Sequence, residues 1–239
     1  MDLFLISLLT LIASIVGTVS GFGTSTIMIP VLVLFLPPAE AIFLVAIIHW
    51  FGNVWKVSLF RKGFDLKLVA LFGVVGLVTS YAGAALSLRA ESLVMLRALG
   101  VFLILYPLFL FLQPRFKIPA TQSVAFFGGA ASGFCAGLFG IGGAIRGLFL
   151  SAFDLPKAVY IATAGAIGLL VDSTRIITYV AGGSLLSPRL WWGLLIFLPV
   201  SFVGARIAKR VVNPIPQQHF RMVIAVFLLL IGLKLVIWG

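Results

Sequence analysis

The sequence predicts an all-α integral membrane protein, and three observations support this class. Hydrophobic residues make up 62% of the 239 residues and charged residues only 10%, whereas soluble domains are about 25% charged. Apolar runs such as 94–112 and 222–238 approach the roughly 20 residues that cross a bilayer. The net charge is +11, and the basic residues mostly flank apolar runs. This distribution sets membrane topology and does not indicate nucleic acid as a partner.

Breaks between the apolar runs predict about ten membrane segments. Most breaks carry charge or proline, but the glycine clusters at 21–23 and 140–143 carry no charge and still interrupt the helix. The piece after each cluster has roughly 11–13 residues, too short to span at 1.5 Å per residue. The predicted segments are 3–20, 24–36, 39–60, 66–88, 93–112, 121–137, 143–153, 156–180, 189–208 and 219–238.

An internal repeat divides the chain into two halves, 1–117 and 118–239. The register then slips slightly, so that Gly83 corresponds to Gly204 and Arg97 to Arg221. Each half is predicted to contain two short glycine-linked pieces, which form a broken-helix hairpin, and three long transmembrane helices. Six residue pairs share an ungapped offset of 119 positions: Gly21/Gly140, Gly23/Gly142, Pro37/Pro156, Asn53/Asp172, Lys56/Arg175 and Gly63/Gly182.

The basic loops fall at non-equivalent places in the two halves. Arg61, Lys62 and Lys67 follow the first long helix of the first half. Arg206, Lys209 and Arg210 follow the second long helix of the second half. Because basic loops face the cytoplasm, the halves are predicted to insert in opposite directions. The result is an inverted repeat, a plan that many secondary transporters use. A cell inner membrane location follows, with both termini on the non-cytoplasmic side.

The two uncharged breaks are candidate anion sites. A helix that starts inside the membrane leaves about four N–H groups unpaired, and its positive end attracts anions. We therefore expect the backbone at Gly142 and Gly143 and the hydroxyls of Thr24 and Ser25 to bind substrate. The alternative is that these glycines only let helices pack closely. Close packing is the interpretation that we favour for Gly129, Gly133 and Gly137, which have the four-residue spacing of helix contacts.

Arg146 lies one turn past the second break, in an otherwise apolar stretch. An arginine inside the membrane costs at least about 2.5 kcal/mol and faces the protein interior or a water-filled cavity. Its planar fork suits the paired oxygens of a sulfonate, phosphate or carboxylate. The alternatives are that Arg146 reaches the membrane surface or pairs with Asp154.

Lys56 and Arg175 occupy equivalent positions in the two halves, and both are candidate substrate ligands. Asn53 and Asp172 precede them by three positions and so share a helix face with them. Asp172 could instead neutralise Arg175, and Lys56 could extend towards the basic loop after its helix. His49, with Asp172, is a candidate for proton coupling, or it could hydrogen-bond a neighbouring carbonyl group.

Several chemistries are not supported by the sequence. It has no Walker loop, HExxH or CxxC motif, only two histidines, one cysteine and six acidic residues. We therefore expect no metal site, no cofactor, no enzymatic activity and no tightly bound cation. The excess of basic residues in apolar segments favours an anionic cargo.

The stretches "SGFGTSTIMIP", "GFCAGLFGIGGAIRGLFL" and "LPKAVYIATAGAIGLLVDSTRIITYVAGG" together resemble the TauE/SafE sulfite exporter family, whose members are also called TSUP permeases. The resemblance covers essentially the whole chain, although Arg146 stands where the family stretch continues with small or apolar residues. It implies transport of a sulfur oxyanion or organosulfonate, such as sulfite, thiosulfate or sulfoacetate, across the bacterial cytoplasmic membrane.

The function expected is therefore secondary transport of a small anion by alternating access, with one half rocking against the other. The alternatives are an anion channel with the same positive pore and a carrier of a non-sulfur organic anion. The expected partners are the anion and the lipid bilayer. The sequence leaves the oligomeric state open, with a homodimer as one arrangement.

Overall fold

The structure, a computed structural model, describes residues 2–60, 63–113, 118–211 and 217–238, without the side chains of residues 217–223. The described part is all-helical, which confirms the predicted fold class, while the count of ten membrane segments stays a prediction. The helices are α1 (Leu3–Ser20), α2 (Ser25–Leu32), α3 (Pro38–Leu59), α4 (Leu66–Arg89), α5 (Ser92–Leu112), α6 (Gln122–Phe139), α7 (Gly143–Leu150), α8 (Lys157–Ala181), α9 (Pro188–Val211) and α10 (Gln217–Trp238).

Seven of the described helices are long and apolar enough to cross a membrane: α1, α3, α4, α5, α6, α8 and α9. Many of their large apolar side chains are exposed, for example Val78 on α4 and Leu195 on α9. In water such a surface would be unfavourable, whereas a bilayer solvates it. The protein is therefore a multi-pass membrane protein.

The uncharged glycine clusters interrupt the helices in the same way at both places. Gly21 ends α1 with φ 77°, and Gly140 ends α6 with φ 74°, a left-handed conformation that favours glycine. α1 and α6 have 18 residues each, close to the predicted segments 3–20 and 121–137. α2 and α7 have eight residues each, which corresponds to about 12 Å of helix. In both cases the α-helix ends in a turn before the next proline of the chain is reached.

α3 and α8 pack antiparallel at the centre of the molecule. Phe43, near the start of α3, contacts the ring of Tyr179, near the end of α8, with ring centroids 6.3 Å apart. Lys56, near the end of α3, lies against Gly165, near the start of α8. α3 and α8, which correspond to each other in the predicted repeat, therefore run in opposite directions against one another.

The most extensive of the remaining helix contacts join one predicted half to the other. α4 packs along α6, where Gly129 lies against the backbone of Phe72 and Gly133 against that of Gly76. This contact confirms the packing interpretation for the glycines of α6, as Gly137 also lies against the α4 backbone. In the same way, α9 packs along α1, where Gly204 lies against Ser14. α5 packs on α10.

Candidate functional site: buried charges at two helix breaks

The two glycine breaks are in direct contact. A Cβ atom on Gly143 would overlap the carbonyl oxygen of Phe22, and it would lie 3.5 Å from the backbone nitrogen of Gly23. α2 begins just after the first break and α7 at the second, so the N-termini of the two short helices lie close together. Irregular backbone inside a membrane is stable only when it is buried in protein or lines a cavity.

The residues predicted around these N-termini are all buried. Thr24 and Ser25 are each 1% exposed, and the Ser25 Oγ has no hydrogen-bond partner in the described part of the chain. Gly142 lies against Ala136 of α6, and Gly143 lies against Phe22. Close packing therefore accounts for the absence of a side chain at both glycines, and their contact with substrate stays a prediction.

Four charged side chains are buried among the described residues: Lys56, Arg146, Asp172 and Arg175. Coulombic interactions connect Arg146 with Lys56, Asp172 and Arg175. Three cations against one carboxylate leave a formal excess of two positive charges in the interior. Buried charge is unfavourable unless it is paired, so this excess is the unusual feature of the site.

Asp172 is the central member of the polar network. Its Oδ2 lies 2.7 Å from the Nδ1 of His49 and accepts a 2.9 Å hydrogen bond from the Nδ2 of Asn53. Its Oδ1 lies 3.1 Å from the Nε of Arg175, an ion pair whose angle does not make a hydrogen bond. The pairing of Asp172 with Arg175, left open by the sequence, is therefore present in the structure.

Arg175 is held in place but is not saturated. It is fully buried, and its Nη1 donates a 3.0 Å hydrogen bond to the carbonyl oxygen of Ala136 in the last turn of α6. Its Nη2 has no partner among the described residues. The guanidinium thus keeps an N–H edge that a bound oxyanion would satisfy.

Lys56 points into the network rather than towards the loop after α3. Its side chain is buried, and its Nζ donates a 3.1 Å hydrogen bond to the Oδ1 of Asn53. Asn53 therefore accepts from Lys56 with one end of its amide and donates to Asp172 with the other. The alternative that Lys56 extends to the membrane surface is wrong for this structure.

Arg146 has the fewest hydrogen bonds and ion pairs of the three buried cations in the described part of the chain. It is 3% exposed, which excludes extension to the surface, and no ion pair with Asp154 is present in the described part. Its Nε is buried without a hydrogen-bond partner among those residues. Arg146 lies in the first turn of α7, where the N-terminus of the same short helix adds its own positive end.

His49 hydrogen-bonds a carboxylate rather than the carbonyl group that the sequence left as its alternative partner. Its Nδ1 faces Asp172, and its Nε2 is buried without a partner among the described residues. The Nε2 points at the first break, since a Cβ atom on Gly23 would lie 2.5 Å from it. The imidazole therefore joins the carboxylate to the α1–α2 break.

Sequence reasoning missed three tyrosines whose hydroxyl groups donate hydrogen bonds to backbone carbonyls of α6 and α7. The Tyr106 hydroxyl donates to the carbonyl of Ala144 at 3.1 Å, and the Tyr160 hydroxyl donates to that of Gly147 at 3.4 Å. Tyr179 donates to the carbonyl of Gly137. Their signal was a phenol inside an apolar helix, where the hydroxyl needs an acceptor.

A groove of about 320 Å³ between α3 and α8 lies away from the charged side chains. Its lining is almost wholly apolar, and the Nε1 of Trp50 donates a 2.9 Å hydrogen bond to Ser173 at its edge. Such a groove offers nothing to an anion. The described residues also contain no group of His, Cys, Asp or Glu that could hold a metal ion.

Apolar helices, two broken helices in contact and a buried excess of positive charge define a multi-pass membrane transport protein. The chain belongs to the sulfite exporter TauE/SafE family, whose sequence profile matches residues 6–235. This match confirms the resemblance seen in the sequence. The family is one of transporters and not of enzymes, and its description indicates sulfur anions such as sulfite as cargo. No curated protein sequence matches the chain.

Proposed function

We propose that the protein is a secondary carrier that moves a small sulfur oxyanion across the cytoplasmic membrane by alternating access. One observation supports this proposal above the others. Lys56, Arg146 and Arg175 are buried with Asp172 as the single buried carboxylate of the described residues, next to the N-termini of two broken helices. A site of this sign is unfavourable when empty and is neutralised by a bound anion.

The charge excess also favours a particular class of cargo. Two uncompensated positive charges match a dianion such as sulfite or thiosulfate better than a monoanion. The oxygens of such an ion would accept hydrogen bonds from the N–H groups of the Arg146 guanidinium and from the Nη2 of Arg175 that has no partner among the described residues. We assign Lys56 and Asn53 to the wall of the site, where the lysine charge adds attraction and the amide holds Asp172 in position.

The helix N-termini complete the proposed site. Their unpaired backbone N–H groups would act on the oxyanion together with the hydroxyls of Thr24 and Ser25 and the backbone at Gly142 and Gly143. The Ser25 hydroxyl has no partner among the described residues, so it is available to donate.

We also infer that the two halves are inverted repeats, and the swapped pairing of α4 with α6 and α9 with α1 supports this. Gly83 contacts the α6 backbone and Gly204 contacts the α1 backbone, at positions that the repeat makes equivalent. Helices in such close backbone contact do not slide easily past each other. The bodies that rock would then be the α1–α9 pair and the α4–α6 pair, rather than the two sequence halves as first expected.

Counterflow of labelled thiosulfate in proteoliposomes tests the proposal. We expect a vesicle loaded with unlabelled thiosulfate to accumulate external label transiently, because a carrier exchanges the two. A carboxylate such as acetate, loaded in its place, should give no accumulation. Arg146→Ala should abolish counterflow, whereas Arg189→Ala, which removes a cation 61% exposed in its side chain, should leave it intact.

The alternatives give different outcomes in the same experiment. A channel would conduct thiosulfate without counterflow. A carrier of non-sulfur organic anions would exchange the carboxylate and not thiosulfate. Either result would reject the proposed function.

A further inference from the structure

We infer that His49 and Asp172 form a proton-binding pair that couples the uptake of one proton to the binding of each anion. This inference rests on the proposed anion transport and adds the coupling ion to it. The feature that carries it is the imidazole of His49, which has one nitrogen on a buried carboxylate and the other directed at the α1–α2 break.

The contact with Asp172 fixes which nitrogen of His49 can exchange a proton. An ionised carboxylate accepts hydrogen bonds only, so the Nδ1 at 2.7 Å must carry a hydrogen and donate it. The Nε2 is then the atom that gains or loses a proton. It is buried, has no partner among the described residues, and lies where a Cβ atom on Gly23 would touch it.

The protonation of Nε2 determines how His49 meets an oxyanion. An unprotonated Nε2 presents a lone pair, which repels the lone pairs of a bound oxygen. A protonated Nε2 presents an N–H group, which donates to that oxygen and adds a positive charge. Anion and proton therefore favour each other's binding, and by linkage the effect is reciprocal.

The charged groups around His49 make this coupling depend on the anion. Asp172 of α8, 2.7 Å from Nδ1, is the one carboxylate buried near it among the described residues, while Lys56 of α3, Arg175 of α8 and Arg146 of α7 are buried cations. α2, which follows the break, contributes hydroxyls and no charge. In the empty site the cations outnumber the carboxylate, so a proton on His49 is disfavoured. A bound dianion cancels the excess of two positive charges, so the site no longer repels a proton and His49 binds it together with the anion.

The test uses the purified full-length chain in proteoliposomes with a pH-sensitive dye inside. Thiosulfate is the probe, since it stays a dianion across the neutral range and its own protonation does not confuse the reading. With a thiosulfate gradient as the only driving force, we expect about one proton to move with each thiosulfate in the same direction. Net thiosulfate movement without a proton flux would overturn the inference.

Two variants locate the proton on His49. His49→Gln places an amide N–H near the position of Nε2 and cannot titrate. We therefore expect slower counterflow, net thiosulfate movement without a proton flux, and no dependence of the rate on pH. His219→Gln changes the other histidine of the chain and should keep both the proton flux and the pH dependence. A His49→Gln variant that moves protons in the wild-type ratio would reject His49 as the carrier.

The wild-type measurements separate this inference from the proposed function. Net thiosulfate movement with no proton flux, in a protein that performs counterflow, rejects the proton-binding pair and leaves the anion carrier standing. An absence of both counterflow and net thiosulfate movement rejects the carrier, and the inference falls with it. The wild-type measurement decides whether a proton is coupled at all, and its failure rejects the inference even where the His49→Gln protein does not fold.

Discussion

Asn53 and Asp172, which stand 119 positions apart at equivalent places in the predicted repeat, are joined by a 2.9 Å hydrogen bond. The Asn53 amide donates a hydrogen bond to the carboxylate and accepts one from Lys56. One repeat position therefore carries the buried negative charge, and the equivalent position carries the amide that links this carboxylate to a lysine. The network is symmetric in position and asymmetric in charge. Exchanging the two side chains is therefore a direct experiment.

Asp172→Asn should strongly destabilise the protein. It removes the buried carboxylate and leaves Lys56, Arg146 and Arg175 without a counter-ion among the buried residues described. Breaking a buried charge pair costs about 3–5 kcal/mol. The exchange variant Asn53→Asp/Asp172→Asn returns one carboxylate across the same contact and should recover a large part of the loss. Thermal unfolding in detergent measures both, and equal midpoints for the single and double variants would refute the argument.

Arg146→Lys should weaken thiosulfate binding about tenfold or more, which corresponds to about 1.4 kcal/mol. Lysine keeps the charge but loses the planar pair of N–H donors that matches two oxygens of one anion. Titration calorimetry on the purified protein measures the change. Arg189→Lys is the matched control, because that guanidinium is exposed and pairs with Asp2 at the surface. Unchanged affinity in Arg146→Lys would remove the bidentate role.

Gly143→Ala should cost about 3 kcal/mol of stability, the upper end of the range for overpacking. The added Cβ would collide with the Phe22 carbonyl oxygen, which is backbone and cannot rotate away. Gly52→Ala is the control, because its Cβ would meet only the Thr24 Oγ1 at 3.5 Å, an ordinary contact. Similar unfolding midpoints for the two variants would show that the helix breaks do not touch.

Surface labelling should place Asp2 and Lys67 on opposite sides of the membrane. The 3.0 Å ion pair between Asp2 and Arg189 joins the N-terminus to the start of α9, where the Ser187 N–H donates to Glu40 at the start of α3. The 22 residues of α3 separate that side from Lys67, in the first turn of α4. Because basic loops stay in the cytoplasm, an impermeant maleimide on intact cells should label Asp2→Cys and spare Lys67→Cys, both built in a Cys135→Ser background. Labelling of Lys67→Cys from outside would reverse the predicted topology.

The helix breaks could be read from the sequence because their signal is local. Glycines without any charged neighbour at 21–23 and 140–143 indicate an interruption that the loops do not explain, and the structure gives Gly21 and Gly140 the same left-handed conformation. The apolar surroundings of Arg146 also predicted that it faces the protein interior or a cavity, with extension to the membrane surface as an alternative. These features depend on residue type and spacing, which a single sequence shows directly.

The contacts between distant residues could not be predicted in this way. The offset of 119 positions relates Asn53 to Asp172 but does not say that the two side chains meet, since equivalent positions in a repeat are adjacent only near the symmetry axis. The close contact of Gly143 with Phe22 and the hydrogen bond from Tyr106 to Ala144 depend on how the broken helices pack together. The periodicity of the sequence does not encode this packing.

The position of Asp172 on α8 has a consequence for how the chain is made. During synthesis Lys56 and His49 enter the membrane more than 100 residues before their carboxylate partner emerges from the ribosome. Until α8 arrives, the nascent first half exposes a lysine and an imidazole that lipid cannot solvate. Chains that stall or are truncated before α8 should therefore be retained by the insertion machinery and degraded, rather than accumulate as a stable half-protein.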